Sequence, residues 1–344
     1  MAVHWSWAWG QETVTDLVDD MGFVSPTGGG TQQPTSAAGN TYTYPLSPTR
    51  YAWESSVIRQ LRFPAQAFLN TGTVALPIKA ATWFADSGTP LIQVYSGTSS
   101  KSINVYCTNS GTNVISMYVD NILGGTTTLT LNDWHYLALQ YDMSATTWTA
   151  TLYVDGAVAI ALTTDTGLAV AASGYFQTAG FGGNSYVGQL IVYTTGTVIA
   201  DASAPIYCTR LSPQNDISDV GAWTPAANAG TDAVAAVISN DPLNTATNTT
   251  LSPAASSDNM ITQATGINAL IGVTSSDLRG VTAHSYASGT AVNTRVAVDG
   301  GGGYTTGTQI TPDTADTTYA FATYDAGSGA ISSTGNINFK YEIV

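Results

Sequence analysis

Residues 147–155 read Thr-Trp-Thr-Ala-Thr-Leu-Tyr-Val-Asp. Trp148, Ala150, Leu152 and Val154 fall on one side of an extended chain, and Thr149, Thr151, Tyr153 and Asp155 on the other. A period of two is the mark of a half-buried strand, because successive side chains of a strand point to opposite faces. Asp155-Gly156 follows at once and is succeeded by Ala-Val-Ala-Ile-Ala-Leu. Asp-Gly supplies the positive φ angles that a two-residue hairpin turn demands. Upstream, Trp134-His-Tyr-Leu-Ala-Leu-Gln-Tyr-Asp142 is a further apolar run, separated from Trp148 by a short polar loop. Residues 132–162 are therefore expected to form three antiparallel strands joined by a short loop and a tight turn.

Composition agrees with a fold built from strands. Lys plus Arg number 9 and Asp plus Glu 23, for a net charge of −14, and only 9% of residues are charged. An average domain carries roughly 25%. Glu12, Glu54 and Glu342 are the only glutamates. Helix-forming Glu and Lys are thus scarce beside many Thr, Val, Tyr and Gly, which points to an almost all-β protein. An acidic chain repels phosphate backbones, so no nucleic acid is expected as a partner. The N-terminus lacks a basic segment followed by an apolar run, so no secretory leader is expected. No apolar run is long enough to span a bilayer as a helix, and no membrane is expected as a partner.

The residues of the central stretch carry a resemblance. Trp134, His135, Ala138, Leu139, Tyr141 and Asp142, followed by Leu152, Tyr153, Val154, Asp155 and Gly156, look like the strands of a concanavalin A-like, laminin-G-like jelly roll. Gly180-Phe-Gly-Gly-Asn184 and Tyr186-Val-Gly-Gln-Leu190 resemble later strands of that family. The match covers roughly residues 55–200. It names a fold and leaves function open, since this fold hosts lectins, hydrolases and spacers alike.

Other segments fill in the plan. Val3-His-Trp-Ser-Trp-Ala-Trp-Gly10 alternates, with three Trp on one face. A first strand packed across the sandwich is the expectation, and an aromatic platform for a partner or sugar is the alternative. Residues 15–21 suit one short helix capped by Thr15. Residues 25–50 have loop composition, with Gly28-Gly-Gly30 and four prolines. Strands are expected at residues 56–62, 80–86, 91–95 and 102–107.

Residues 200–205, Ala-Asp-Ala-Ser-Ala-Pro, read as a linker. Two domains follow from length and from this break: a jelly roll over residues 1–200 with its N-terminal strand and loop, and a smaller C-terminal β-sandwich over residues 201–344. In the second, Val292, Thr294, Val296 and Val298 share a face, as do Ile337, Phe339, Tyr341 and Ile343. Arg210-Leu-Ser-Pro213 and Gly221-Ala-Trp-Thr-Pro225, with a strand near the C-terminus, look like a small sandwich recurring in structural proteins of tailed bacteriophages.

Reactive groups are few. Glycoside hydrolysis needs two carboxylates roughly 5–10 Å apart, and no Glu-x-Asp-x-Glu occurs. Asp133 with Asp142 is the Asp-only pair that stays open. Asp216 with Asp219, and Asp313 with Asp316, read as loop or capping acids. No Gly-x-Ser-x-Gly motif accompanies His4, His135 or His284. His135 is read as structural. Cys107 and Cys208 are expected as two thiols, with one disulfide between them as the alternative. No Cys/His cluster has zinc spacing, and no cofactor is expected. The laminin-G resemblance implies Ca²⁺ as a candidate ligand held by Asp and carbonyl oxygens, but the spacing singles out no site. Tyr and Trp beside Asn and Asp are suited to stacking on sugar rings, though their exposure is not legible.

Together the resemblances imply a virion protein without enzymatic activity. A tail-associated or fibre-like protein that meets host glycan is the first expectation. A capsid decoration or head-fibre protein, and a secreted glycan-binding or glycan-hydrolysing protein, are the alternatives. Other virion proteins and a host surface glycan are the expected partners, and a homo-oligomer the expected state.

Overall fold

The computed structural model describes residues 3–7, 31–34, 51–55, 60–63, 67–80, 90–107, 113–179, 185–187, 190–194, 215–220, 259–264, 281–284, 294–299, 303–306, 319–322 and 337–343. All elements among them are strands, so the expected all-β class holds. The chain divides into two compact units, one of Met1–Val18, Gly22–Tyr44 and Pro48–Arg210, the other of Asp19–Met21, Pro45–Ser47 and Leu211–Val344. The expected helix at residues 15–21 lies outside the described residues.

The first unit contains β1 (Val3–Trp7), β2 (Thr31–Pro34), β3 (Tyr51–Ser55), β4 (Gln60–Arg62), β5 (Thr71–Ala80), β6 (Pro90–Ser96), β7 (Ser102–Cys107), β8 (Val114–Val119), β9 (Ile122–Thr128), β10 (Trp134–Asp142), β11 (Thr147–Val154), β12 (Ala157–Thr166), β13 (Gly174–Ala179), β14 (Ser185–Val187) and β15 (Leu190–Tyr193). A nine-stranded sheet runs β12-β11-β10-β5-β14-β3-β2, with β15 beside β5 and β1 beside β15. A six-stranded sheet runs β4-β13-β6-β7-β8-β9. Every pairing in the two sheets is antiparallel.

The hairpin expected at Asp155-Gly156 is present, with φ of 50° and 82° at the two residues. It joins β11 to β12 with Val154 opposite Ala157. Trp148, Ala150 and Leu152 are buried as the alternation requires. Their face meets Tyr141, Leu139 and Leu137 of β10, and then Gly72, Val74 and Leu76 of β5. The facing layer is Val94, Ile103, Val105, Ile115, Met117 and Phe176 of the six-stranded sheet, all buried. Tyr141 and Phe176 touch edge to face across the sandwich, with ring centroids 6.0 Å apart. Burying each such large apolar side chain is worth about 1.5–3 kcal/mol, and this double layer is the core.

Two strands depart from expectation. Strand β5 is central, yet Gly72, Ala75 and Pro77 weaken its β signature. Pro77 is tolerated because β15 pairs with residues Thr73–Ala75 and β14 with Ile78–Ala80. A residue without an N–H thus sits opposite the break between two neighbours. Strand β2 lies within residues expected to be loop. Its Pro34 sits on the outer strand of the sheet, where a missing donor costs no ladder bond.

The second unit contains β16 (Asn215–Val220), β17 (Asn259–Ala264), β18 (Val281–His284), β19 (Thr294–Asp299), β20 (Thr305–Thr306), β21 (Tyr319–Ala322) and β22 (Ile337–Ile343). Its sheets are β16-β17-β22-β19-β20 and β18-β21. The C-terminal strand is central, pairing β17 on one side and β19 on the other. Asp216 and Asp219 lie inside β16 instead of in a loop.

Candidate functional site: the outer face of the six-stranded sheet

Alternation that buries Val94, Ile103, Val105 and Met117 turns their neighbours outward. Cross-strand register then assembles those neighbours into rows. Arg62 of β4 lies opposite Gln177 of β13, Gln177 opposite Gln93 of β6, Gln93 opposite Asn104 of β7, Asn104 opposite Tyr118 of β8, and Tyr118 opposite Leu123 of β9. One unbroken row crosses all six strands, about 24 Å at the usual strand spacing. A second row places Tyr175 opposite Tyr95 and Tyr95 opposite Ser102. A third places Tyr106 opposite Ser116 and Ser116 opposite Thr126.

These side chains hold one another in place. Gln93 Nε2 donates to Asn104 Oδ1 at 2.9 Å, and Asn104 Nδ2 donates to Ser102 Oγ at 2.8 Å. Tyr95 and Tyr175 stack with centroids 4.6 Å apart, and the Arg62 guanidinium lies 3.8 Å over the Tyr175 ring. Tyr106 and Tyr118 meet edge to face at 5.8 Å. The tyrosines, Gln93, Ser102 and Arg62 are half-buried, while Asn104 and Gln177 are nearly closed off at 4% and 5% exposure. Burial, reinforced by Tyr118, raises the Tyr106 pKa. Burial and Tyr95 raise that of Tyr175 against the opposing pull of Arg62. Both phenols therefore keep their protons at neutral pH and present O–H groups.

A face of pre-oriented aromatic rings with amides and hydroxyls between them suits a polyhydroxylated ligand. Flat rings take up the C–H faces of a sugar, and the amides and hydroxyls meet its O–H groups.

The remaining candidates are scattered. Asp133 and Asp142 stand just before and at the end of β10, about 30 Å apart at the rise of a strand. They are not a carboxylate pair. Asp142 Oδ1 instead accepts from Ser144 N at 2.9 Å and Ser144 Oγ at 2.6 Å. His135 is 9% exposed and has both ring nitrogens engaged. Thr130 N–H donates to Nε2 at 3.0 Å, which leaves Nδ1 to donate to Asp155 Oδ2 at 2.7 Å. His4 lies in β1, His284 in β18 and Glu54 in β3. Glu342 pairs with Arg295 and Lys340, each at 2.5 Å. Cys107 is a buried thiol. Glu12, Asp313, Asp316 and Cys208 lie outside the described residues. Among the described residues no three His, Cys, Asp or Glu side chains group as metal ligands.

No family model matches the chain, and no curated protein matches it. Similar solved structures exist. A mutant Trypanosoma rangeli sialidase with trans-sialidase activity aligns at TM-score 0.36 and 11% identity, over 44% of this chain and 27% of the sialidase. Domain 4 of AbnA, a GH43 extracellular arabinanase from Geobacillus stearothermophilus, in complex with arabinotriose, aligns at TM-score 0.39 and 12% identity, over 58% of this chain and 96% of that domain. The apo Crh5 transglycosylase aligns at TM-score 0.34 and 10% identity, over 52% and 90%. The expectation that the chain is not an enzyme is corrected by this company, which includes a sialidase and a transglycosylase. The physical reason is that a sandwich scaffold leaves chemistry to the side chains grafted on it. A missing Glu-x-Asp-x-Glu excludes one carboxylate arrangement and no more.

Proposed function

We propose that the first unit binds a glycan on the outer face of its six-stranded sheet. The observation that carries this reading is the row from Arg62 to Tyr118, flanked by the stacked Tyr95–Tyr175 pair, in which amides are already hydrogen-bonded into fixed orientations. Pre-orientation lowers the entropy lost on binding.

A glycan array probed with the full chain tests it. Tyr95→Ala is expected to weaken the strongest wild-type interaction roughly tenfold, the scale of one lost stacking contact. A wild-type chain that captures no glycan rejects the reading. Reducing ends assayed on the same glycans report whether binding is followed by turnover.

The setting belongs to the same proposal. A tailed-phage particle, with the face turned to host glycan and other virion proteins as neighbours, is what the sequence resemblance implies. Mass spectrometry of purified particles tests it. Self-association is supported by apolar side chains on two outermost strands: Leu123 on β9, and Val158 and Leu162 on β12, are 52%, 58% and 68% exposed. Light scattering of the wild type against Leu162→Lys tests that.

A further inference from the structure

We infer that the glycan bound by this face carries a carboxylate, and that Arg62 receives it. The inference rests on the glycan-binding reading and deepens it.

Three observations support it. Arg62 takes part in none of the ion pairs of the described residues, which join Lys101 to Asp120, His135 to Asp155, and Arg295 and Lys340 to Glu342. Its guanidinium carbon instead lies 3.8 Å from the centre of the Tyr175 ring, and the side chain also hydrogen-bonds the Tyr175 phenol. A guanidinium has five N–H donors, so one bond to a neutral phenol leaves others whose fork matches the two oxygens of a carboxylate.

The second observation is the charge of the face. The chain has 23 acidic residues against 9 basic ones. The three rows nevertheless contain no carboxylate. The acid at their margin, Asp120, is held by Lys101 at 2.5 Å. In a chain of net charge −14, a sheet face whose described residues include one cation outside the ion pairs and no unpaired anion is locally complementary to a negative ligand.

Position is the third. Arg62 begins the row of amides and lies beside the stacked tyrosines. A sugar ring laid across the outer edges of the Tyr95–Tyr175 stack places a substituent carboxylate toward Arg62, while its hydroxyls meet Gln93. Carboxylate and ring are thus read by neighbouring groups.

The experiment is an array on which neutral oligosaccharides stand beside uronic-acid and other carboxylated ones, together with carboxyl-reduced forms of the latter. Wild type is expected to prefer the carboxylated member of a matched pair by about tenfold or more, the scale of a charge-assisted pair. Arg62→Gln is expected to erase that preference, bringing the two members of a matched pair to equal binding. Arg62→Lys, which keeps the charge without the fork, is expected to restore it only in part. Tyr95→Ala is expected to weaken both members alike. If neutral and carboxylated partners bind equally, or if Arg62→Gln changes nothing, the carboxylate inference fails and the glycan-binding reading survives. If nothing binds, both fail. Unchanged circular dichroism in each variant establishes that the fold is intact.

Discussion

Asp155 fastens the turn between β11 and β12 to His135 of β10. Its Oδ2 accepts from His135 Nδ1–H at 2.7 Å, and its Oδ1 accepts from Tyr136 N–H at 2.8 Å. The Asp155 N–H in turn donates to Tyr136 O at 2.9 Å. Asp155 also has φ of +50°, a conformation that costs most residues roughly 1 kcal/mol or more. Two substitutions separate these roles. Asp155→Gly keeps the turn and deletes the carboxylate, and is expected to lower stability by about 1–3 kcal/mol. Asp155→Ala adds the backbone strain and is expected to cost roughly 1 kcal/mol more. Urea unfolding followed by tryptophan fluorescence measures both. Equal effects of the two would show that the backbone conformation contributes nothing.

The same pair makes stability depend on pH. Burial is the largest influence on His135 and acts to lower its pKa. The hydrogen bond and charge of Asp155, the contact with Thr130 and the charge of Asp133 act together to raise it, and the net shift is upward from 6.5. The folded protein therefore holds this proton more tightly than the unfolded chain. The resulting stabilisation is complete below the ordinary histidine value of 6.5 and is lost as pH rises through the higher folded value. Protonated His135 keeps Asp155 and exchanges the bond from Thr130 N–H for one that Nε2–H donates to Thr130 O, 3.1 Å away. Unfolding midpoints of the wild type are expected to fall on going from about pH 6 to about pH 8, and those of His135→Gln to fall less. Parallel curves would remove His135 as the source.

In the second unit Glu342 gives a dependence of the opposite sign. Burial, again the largest influence, raises its pKa. Hydrogen bonds and charges from Lys340 and Arg295 outweigh it, and the net shift is downward. A lowered folded value means stabilisation that is present above the ordinary glutamate value of 4.5 and lost as pH falls through the folded value. Glu342→Gln is expected to cost about 1 kcal/mol at neutral pH, given that the partly exposed cations are screened by solvent. It is also expected to blunt the acid loss of the second unit. Thermal melts between about pH 3 and pH 7 check both. A variant as acid-sensitive as the wild type would place the titrating group elsewhere.

What could be read from the sequence was local. The β10–β12 segment announced itself because alternation and an Asp-Gly turn are properties of contiguous residues. Strand β7 was legible for the same reason. Strand β5 was not, because Gly72 and Pro77 look like breakers until β14 and β15 are seen beside them. Strands β8 and β9, joined through Asp120 with φ +50°, are hard to read from the chain, since Gly124-Gly125 dilutes the pattern of β9. The candidate face was wholly hidden. Arg62, Gln177, Gln93, Asn104 and Tyr118 come from five strands whose order in the sheet is not their order in the chain. Aromatics and amides are both visible in the sequence, but only register says which ones meet. The Asp133–Asp142 question closed for the converse reason, since a straight strand separates residues that a loop might have joined.

Gly72 offers the sharpest test of the sheet order. A Cβ placed there would lie 2.3 Å from the backbone oxygen of Tyr193. The obstacle is main chain, so no side-chain rotation relieves it. Tyr193 pairs with Thr73, and Ile191 with Ala75, so a displaced β15 would part from β5. It would also disturb the cluster of Ala75, Tyr136, Ala138, Ile191 and Tyr193, each at most 3% exposed. Gly72→Ala is therefore expected to destabilise by about 3 kcal/mol, the upper end of the usual cost of overpacking. Gly167→Ala is the comparison. Gly167 has φ +79° and nothing within 4 Å of the added methyl, so its cost is backbone strain alone, roughly 1 kcal/mol. Denaturant midpoints of the two variants rank the effects. Should Gly72→Ala prove as mild as Gly167→Ala, β15 does not lie against β5, and the nine-stranded order is wrong at that point.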